Sequence, residues 1–406
     1  MRTLRKIRLI YKKFLRKFHK FFERAEIFVT DVLYDRKKSI GTVMVSLGLL
    51  PLSFIFLQAV RLRRFLYDRR IFASDILGCP VIVVGNLTLG GTGKTPVVEK
   101  IARELHERGR KVAVLSRGYK SKSEPRWKVW VRWITHQKEP PPKVVSNGKL
   151  VLLNSETAGD EPFMLAENLP GVVVLVDRDR VKAGRYAIGK FGVDILILDD
   201  GFQYFPLLGH INLLLIDRSN PFGNRHLLPR GILREPIEQI SRASHVLVTK
   251  ADSTCDSSLI GTIKMHTQKA EIMQCAHFPR HLSTLDKKEI RLISILQDSK
   301  IMAFSGIASP DSFEMFLSRN GATIVHRKQF VDHHRFSKSE LENVFDAACA
   351  KGAEFAVTTE KDAVRMPKDF QAPIATYFLK IDIEITAGEE IFEDMISKFT
   401  SKECLF

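Results

Sequence analysis

Cysteine is scarce: Cys79, Cys255, Cys275, Cys349 and Cys404 are spread over 406 residues, with no CxxC pair and no Cys/His cluster at zinc-ligand spacing. This excludes a disulfide-stapled scaffold, fits a reducing compartment and argues against a structural metal. Tryptophan is scarcer still, with all three residues in one short stretch, Trp127, Trp130 and Trp133. Acidic residues are also short, 46 against 63 Lys+Arg, for a net charge of +17. With 45% hydrophobic residues the chain is neither disordered nor collagen-like. Its length exceeds what one compact core usually holds, so two lobes are expected beyond the N-terminal region.

The surplus of positive charge is local. Residues 1 to 75 hold 18 Lys+Arg and 6 Asp+Glu, a balance of +12, which leaves +5 for the rest. A basic arm beside a hydrophobic run reads first as attraction to anionic lipid and only second as nucleic-acid binding. The run is Ser39 to Val60, 22 residues without a charge, just long enough to cross a bilayer core of about 30 Å. Both flanks are basic, against the positive-inside bias of a single span, and Pro51 sits inside it. These two features favour a bent, shallow or re-entrant insertion. Upstream, Leu4, Ile7, Phe14, Phe18, Phe21 and Ala25 recur at helical steps among Lys and Arg. That is the pattern of an interfacial basic helix, with a solvated helix packed on its own protein as the plainer reading. A cleavable signal peptide is not expected, because the charged region is too long and no small-residue cleavage site follows the apolar run.

Pro80 to Gly85 is a short apolar, β-branched run, and Val97, Val98, Ile101, Ala102 and Leu105 follow a helical period from Lys94 onward. Between them lies Thr88-Leu89-Gly90-Gly91-Thr92-Gly93-Lys94-Thr95. Strand, glycine-rich turn, Lys-Thr and helix together make a P-loop. Its amides would close on phosphate oxygens, Lys94 would meet the β/γ-phosphates, and Thr95 would offer a hydroxyl to Mg²⁺. The first glycine of the usual motif is here Thr88.

Further strands are expected at Val112 to Leu115, Val172 to Val176, Leu196 to Asp200, Ile211 to Asp217 and His245 to Thr249, with a helix over Asp179 to Phe191. Asp199 and Asp200 end an apolar strand, as a metal-binding carboxylate beside a P-loop should. Alternating strands and helices imply a parallel sheet with ligands at its carboxyl edge. After residue 300 the theme repeats, with strands near 301–307, 323–330, 355–359 and 376–381 and helices near 311–319 and 338–351. Thr249-Lys-Ala-Asp252 looks like the guanine-reading motif of GTPases, but Leu198-Asp199-Asp200-Gly201 lacks the DxxG spacing. A membrane-tethered P-loop regulator or GTPase is therefore the rival reading.

At this point the chain resembles the tetraacyldisaccharide 4'-kinases of lipid A biosynthesis. The matching segments include Val84 to Pro96, Ser116-Arg-Gly-Tyr119, Gly159-Asp-Glu-Pro162, Asp179-Arg-Val181, Asp199-Asp-Gly-Phe-Gln203, Phe222-Gly-Asn224, Leu227 to Pro236, Phe304 to Ile307, Asp332-His-His-Arg335 and Thr359-Glu-Lys-Asp362. They stand in the family's order. The resemblance implies ATP- and Mg²⁺-dependent phosphorylation of the 4'-hydroxyl of an acylated glucosamine disaccharide phosphate, a lipid A precursor. It places this on the cytoplasmic face of the inner membrane, by monotopic or single-segment attachment, with no nucleic acid and no obligate protein partner.

The resemblance also implies site roles. Asp160 would be the base, paired with His333; without it, Asp160-Glu161 reads as a helix start and Asp332-His333 as a loop or cap. Asp199 and Asp200 would hold Mg²⁺ with Thr95, and Glu161 and Gln203 would contact the metal or its waters. Arg180 and Arg234 are candidate phosphate clamps, because a planar fork suits phosphate oxygens. Family members commonly carry His where this chain has Tyr204, and the contact made from that place is open.

The expected fold class is α/β: a P-loop NTPase parallel sheet flanked by helices, a second smaller α/β lobe, and an N-terminal membrane-associated helical segment. The expected boundaries are 1–38 for the basic amphipathic extension, 39–75 for the hydrophobic membrane-associated segment, 76–295 for the P-loop kinase lobe and 296–406 for the C-terminal lobe. The insert at 120–150 reads as hairpin-like. Its Trp127-Lys-Val-Trp130-Val alternation suits a self-packed hairpin, an edge strand or a membrane-touching hairpin.

Overall fold

The computed structural model describes residues 28–35, 39–119, 121, 127, 130–131, 134–135, 137, 139–251, 257–307, 309–332 and 334–400. The amphipathic pattern over Leu4 to Ala25 lies outside the described residues. The chain divides into two compact units: one holds Met1–Ile71, Leu87–Gly90 and Asn220–Gln239, the other Phe72–Asn86, Gly91–Ser219 and Ile240–Phe406. The segment Asn220–Gln239, expected within the kinase lobe, thus joins the N-terminal unit.

The first unit is built on one helix, Ile40–Asp68, 29 residues long. Ser39 caps it, accepting from the Thr42 amide at 3.2 Å while its own amide donates to Thr42 Oγ1 at 2.9 Å. Pro51 lies inside the helix. Proline removes one backbone donor, but the helix continues through it, so of the bent, shallow or re-entrant forms expected the chain does not take the re-entrant one. Its burial is inverted relative to a soluble helix. The buried positions are Thr42, Ser46 and Ser53, whereas Met44, Leu47, Leu52, Phe54, Ile55 and Leu62 are exposed. The polar stripe meets the Asn220–Gln239 segment: Ser53 Oγ donates to the Leu227 carbonyl at 2.7 Å and accepts from the Arg230 amide at 3.0 Å. Arg64 donates to Gln239 at 2.6 Å, and Arg230 pairs with Asp35 at 3.0 Å.

The second unit is organised by strands β1 (Val81–Asn86), β2 (Val112–Ser116), β3 (Lys143–Asn147), β4 (Val173–Val176), β5 (Ile195–Asp199), β6 (Ile211–Asp217), β7 (His245–Thr249), β8 (Glu271–Thr284), β9 (Ile290–Arg291), β10 (Lys300–Ser305), β11 (Thr323–Gln329), β12 (Phe355–Thr359) and β13 (Ala375–Ala387). They form one mixed sheet in the order β11-β10-β12-β13-β8-β7-β6-β1-β5-β2-β4-β3, with β9 on β8. β1 sits centrally, parallel to β5 and β6. Helices cover both faces. Ile82 and Val84 of β1 point into a core shared with the helices Lys94–Glu107 and Glu389–Ser397, and Val81 and Val83 into one shared with Arg180–Phe191. Period-two alternation into two cores explains why these strands read as continuous apolar runs.

The segment after residue 296 has its own packed core, yet it is not a separate sheet. β8 is parallel to β7 and antiparallel to β13, which joins the C-terminal strands to β7 and the strands beyond it. The described residues of the 120–150 insert also differ from a hairpin: Trp127, Trp130, Val131 and Ile134 are helical, and strand geometry begins only at β3.

In the C-terminal core, Phe304 is 1% exposed, with its ring edge-on to Phe336 and Phe345 at 5.8 and 5.9 Å. Phe304→Ala is expected to lower stability by about 3–5 kcal/mol in urea unfolding. A loss under about 1 kcal/mol would show that this core is loosely packed.

Candidate active site

The carboxyl ends of β1, β5, β2, β6 and β7 carry Asn86, Asp199, Ser116, Asp217 and Thr249. Parallel strands bring these ends to one edge of the sheet. Val84 of β1 stands in register with Asp199 of β5, so the carboxylate lies beside the strand that feeds the P-loop.

The loop's second half leads into the helix Lys94–Glu107, whose N-cap is Gly93 at φ 79° with no side-chain cap. Its first-turn amides are left for an anion. A side chain at Gly93 would be strained by the positive φ and would strike the His277 ring, since a Cβ there would lie 2.7 Å from Nε2. Burial, with Lys250 adding to it, pushes the His277 imidazole down to about 4, so it stays neutral against the loop. Thr249 Oγ1 donates to the Thr92 carbonyl at 2.9 Å and ties the loop to the end of β7. Its neighbour Lys250 pairs with Asp217 at 2.5 Å. The Thr249-Lys250 pair therefore holds the loop and an aspartate here. Asp252 lies outside the described residues.

The first half of the loop belongs to the other unit, together with Arg234. The Leu89 amide donates to the Ile232 carbonyl at 2.7 Å, the Arg234 amide to the Leu87 carbonyl at 2.7 Å, and Thr88 bridges Leu233. Gly90 takes φ 111° against the Tyr34 hydroxyl.

Lys94 Nζ donates to Asn86 Oδ1 at 3.1 Å and lies 3.6 Å from Asp200 Oδ1. Asp200 itself sits at φ 53°, a left-handed turn that ends β5. Asp199 is 3% exposed and accepts from Ser116 Oγ at 3.2 Å. Burial, then the like charges of Glu161 and Asp200, push its carboxyl up to about 7, while Lys94 opposes them. Gln203 donates to the Asn86 carbonyl at 3.0 Å, and Glu161 pairs with Lys361 at 2.7 Å. Thr95 stands in the first turn of the P-loop helix.

Arg180 opens the helix Arg180–Phe191 and is 5% exposed. Burial pulls its guanidinium below the ordinary value, opposed by Tyr204, Asp200 and Asp199. Its Nε finds no partner among the described residues. Tyr204 answers the open question about its position. Its ring lies under the Arg180 guanidinium at 4.5 Å, and its hydroxyl accepts from the Arg180 amide at 3.0 Å and donates to Asp179 at 3.1 Å. Tyr204 therefore props an arginine.

Asp160 begins the helix Asp160–Asn168 and is 6% exposed. Its Oδ1 accepts from Arg335 at 2.8 Å and its Oδ2 from Arg365 at 2.9 Å. Arg365 is fixed in turn by Asp362 at 3.0 Å and by the Gly306 carbonyl at 2.9 Å. His333, the expected partner, lies outside the described residues. His334 stacks on Phe330 and faces Glu340. Sequence reading missed Asn86, Arg335, Lys361 and Arg365. Arg335 and Lys361 stood inside quoted motifs as bare cations, and Arg365 carried only its three-residue step from Asp362 as a signal.

Among the described residues no three acidic, His or Cys side chains converge closely enough to hold a metal alone. A hard cation that keeps waters and takes its other oxygens from phosphates suits such a sparse site, and the crowded carboxylates around Asp199 fit a cation. The partnerless Arg180 Nε and the uncapped helix likewise fit phosphate.

A family model, tetraacyldisaccharide-1-P 4'-kinase, matches residues 45–401. The tetraacyldisaccharide 4'-kinase of Anaeromyxobacter dehalogenans strain 2CP-C is 37% identical over 343 residues, covering 83% of this chain and 86% of its own. That of Halothermothrix orenii is 32% identical over 394 residues, 93% and 98% of the two chains. The crystal structure of LpxK from Aquifex aeolicus in complex with ATP superposes with a TM-score of 0.68 at 28% identity, covering 88% of this chain and all of that one.

Asp199's raised value fixes a pH dependence. A carboxyl raised from 3.8 to about 7 adds stability that is full below about pH 4 and is lost as pH rises through 7. Asp199→Asn is therefore expected to raise the melting temperature of the nucleotide-free protein by a few degrees, and by more at pH 8 than at pH 5. An equal or smaller gain at pH 8 would contradict the charge crowding.

Proposed function

The chain belongs to the tetraacyldisaccharide 4'-kinase family, and on that premise we propose how its own residues carry the transfer. It is a kinase that moves a phosphoryl group from ATP to the 4'-hydroxyl of a tetraacyl disaccharide 1-phosphate in lipid A biosynthesis. The P-loop regulator or GTPase is thereby set aside.

The phosphates are received by the amides of Gly91 to Thr95 and by Lys94. Lys94 exchanges its contacts with Asn86 and Asp200 for phosphate oxygens. Arg180, held by Tyr204, turns its free Nε edge toward the charge that develops on the transferred group. Asp199, Asp200 and Thr95 would hold Mg²⁺, with Glu161 and Gln203 orienting its waters, and the ion would spread charge across the β- and γ-phosphates. Arg234 serves the nucleotide as a second clamp.

Asp160 accepts the proton of the 4'-hydroxyl. The observation that carries this role is the pair of guanidinium bonds from Arg335 and Arg365, which fix both carboxylate oxygens in place. A carboxylate held in one orientation is suited to accept a proton from a substrate hydroxyl. His333, one residue from Asp332 in the same segment as Arg335, assists as the dyad partner.

The substrate carries acyl chains, so the enzyme works at a lipid surface. We assign that contact to the helix Ile40–Asp68, whose buried side is polar and whose large apolar side chains face outward. The surface is the cytoplasmic face of the inner membrane, where ATP is present. No nucleic acid and no obligate protein partner are needed.

Transfer from labelled ATP to tetraacyl disaccharide 1-phosphate in detergent micelles with Mg²⁺ tests the roles. Asp160→Ala is expected to lower kcat by about 10²–10⁴-fold. Lys94→Ala should abolish turnover, as should chelation of the cation. ATP hydrolysis that ignores both the lipid and Asp160→Ala would overturn the assignment.

A further inference from the structure

The insert after β2 holds every tryptophan of the chain, Trp127, Trp130 and Trp133. Of its residues, Trp127, Trp130, Val131 and Ile134 are described as helical, and the Thr135 amide and hydroxyl donate to the Val131 carbonyl at 2.9 and 2.8 Å, closing a helical turn. Steps of three, four and seven place these four side chains on one helix face. That face is apolar and open: Trp127 and Trp130 are each 62% exposed, Ile134 49% and Val131 39%. A helix usually turns such a stripe into its own core.

The charges of the insert's sequence indicate what covers the stripe. Residues 120 to 138 contain Lys120, Lys122, Arg126, Lys128, Arg132 and Lys138 against the single acid Glu124. Indole rings beside cations suit the headgroup layer, where the ring body meets acyl chains and its N–H meets water, while Lys and Arg meet anionic phosphate. A nucleic acid would satisfy the cations but leave Val131 and Ile134 uncovered.

We infer that the face formed by Trp127, Trp130, Val131 and Ile134 docks on an anionic phospholipid surface, a second membrane contact besides the helix Ile40–Asp68. The inference rests on the membrane-surface reading above. It also gives the insert a role: a membrane contact made by the unit that carries Asp160 and Asp199.

Because no tryptophan lies elsewhere, intrinsic fluorescence of the full chain reports this segment alone. Vesicles of phosphatidylethanolamine and phosphatidylglycerol should shift the emission to the blue by several nanometres. Lipids brominated near the top of the acyl chain should quench it, and pure phosphatidylcholine should do neither. Val131→Asp with Ile134→Asp, which keeps the tryptophans, should abolish most of the shift while micellar kinase turnover stays unchanged. Co-sedimentation with the anionic vesicles but unshifted emission would overturn the inference and leave attachment through Ile40–Asp68 standing. No co-sedimentation at all would overturn both. An equal shift with phosphatidylcholine, or a shift with duplex DNA and none with vesicles, would also overturn it.

Discussion

A buried carboxylate that cannot ionise cheaply sets the terms for this active edge. Asp199 is covered at the end of β5, bonded to Ser116, and faces the charges of Asp200 and Glu161 with Lys94 as its nearby cation. Nothing about the sheet requires aspartate there, and an apolar residue would end the strand more favourably. The cost is the stored capacity to bind positive charge. On the proposed assignment the edge gathers what a phosphoryl transfer must have in place beforehand: negative groups for a cation, and the amides, Lys94 and Arg180 for phosphate oxygens.

The same logic of fixed, pre-positioned groups extends to Asp160. Arg365, fully buried and braced by Asp362 and the Gly306 carbonyl, reaches from one side, and Arg335 from the other. Those cations come from the chain after residue 300, which shares the sheet through the antiparallel pairing of β8 and β13. Continuity of hydrogen bonding through the sheet brings them to the helix Asp160–Asn168. Tyr204 does for Arg180 what Arg365 does for Asp160: it sets direction through contacts the substrate never touches.

Most strands were legible because they are buried on both faces. Ile211–Asp217, His245–Thr249 and Phe355–Thr359 fall where runs of branched and apolar residues said they would. β8 was not legible. Its polar, half-exposed sequence contains Pro279, which cannot donate to a ladder, and the pairing slips between Lys380 and Ile381 where Pro279 is met. That missed strand is what joins the C-terminal α/β segment to the rest of the sheet. Pro51 lies inside a long apolar helix, which one lost hydrogen bond did not end. The tryptophan insert obeys both a strand-like alternation and a three-four helical step, and short patterns of that kind do not decide between the two. At the site, anions and the P-loop were visible from motif and strand end. The cations Arg335, Lys361 and Arg365 were hidden, because a surface arginine and a buried one look alike until the fold is known.

The most direct test of the central claim counts protons. With its carboxyl pushed up to about 7 by burial and by the charges of Glu161 and Asp200, Asp199 carries a share of its proton in the nucleotide-free protein near neutral pH. Titration of Mg²⁺-saturated ATP into the protein at that pH, by calorimetry in buffers of different ionisation enthalpy, measures the protons released on binding. The account predicts that the wild type releases more protons than Asp199→Asn. Equal release from the two proteins would contradict it.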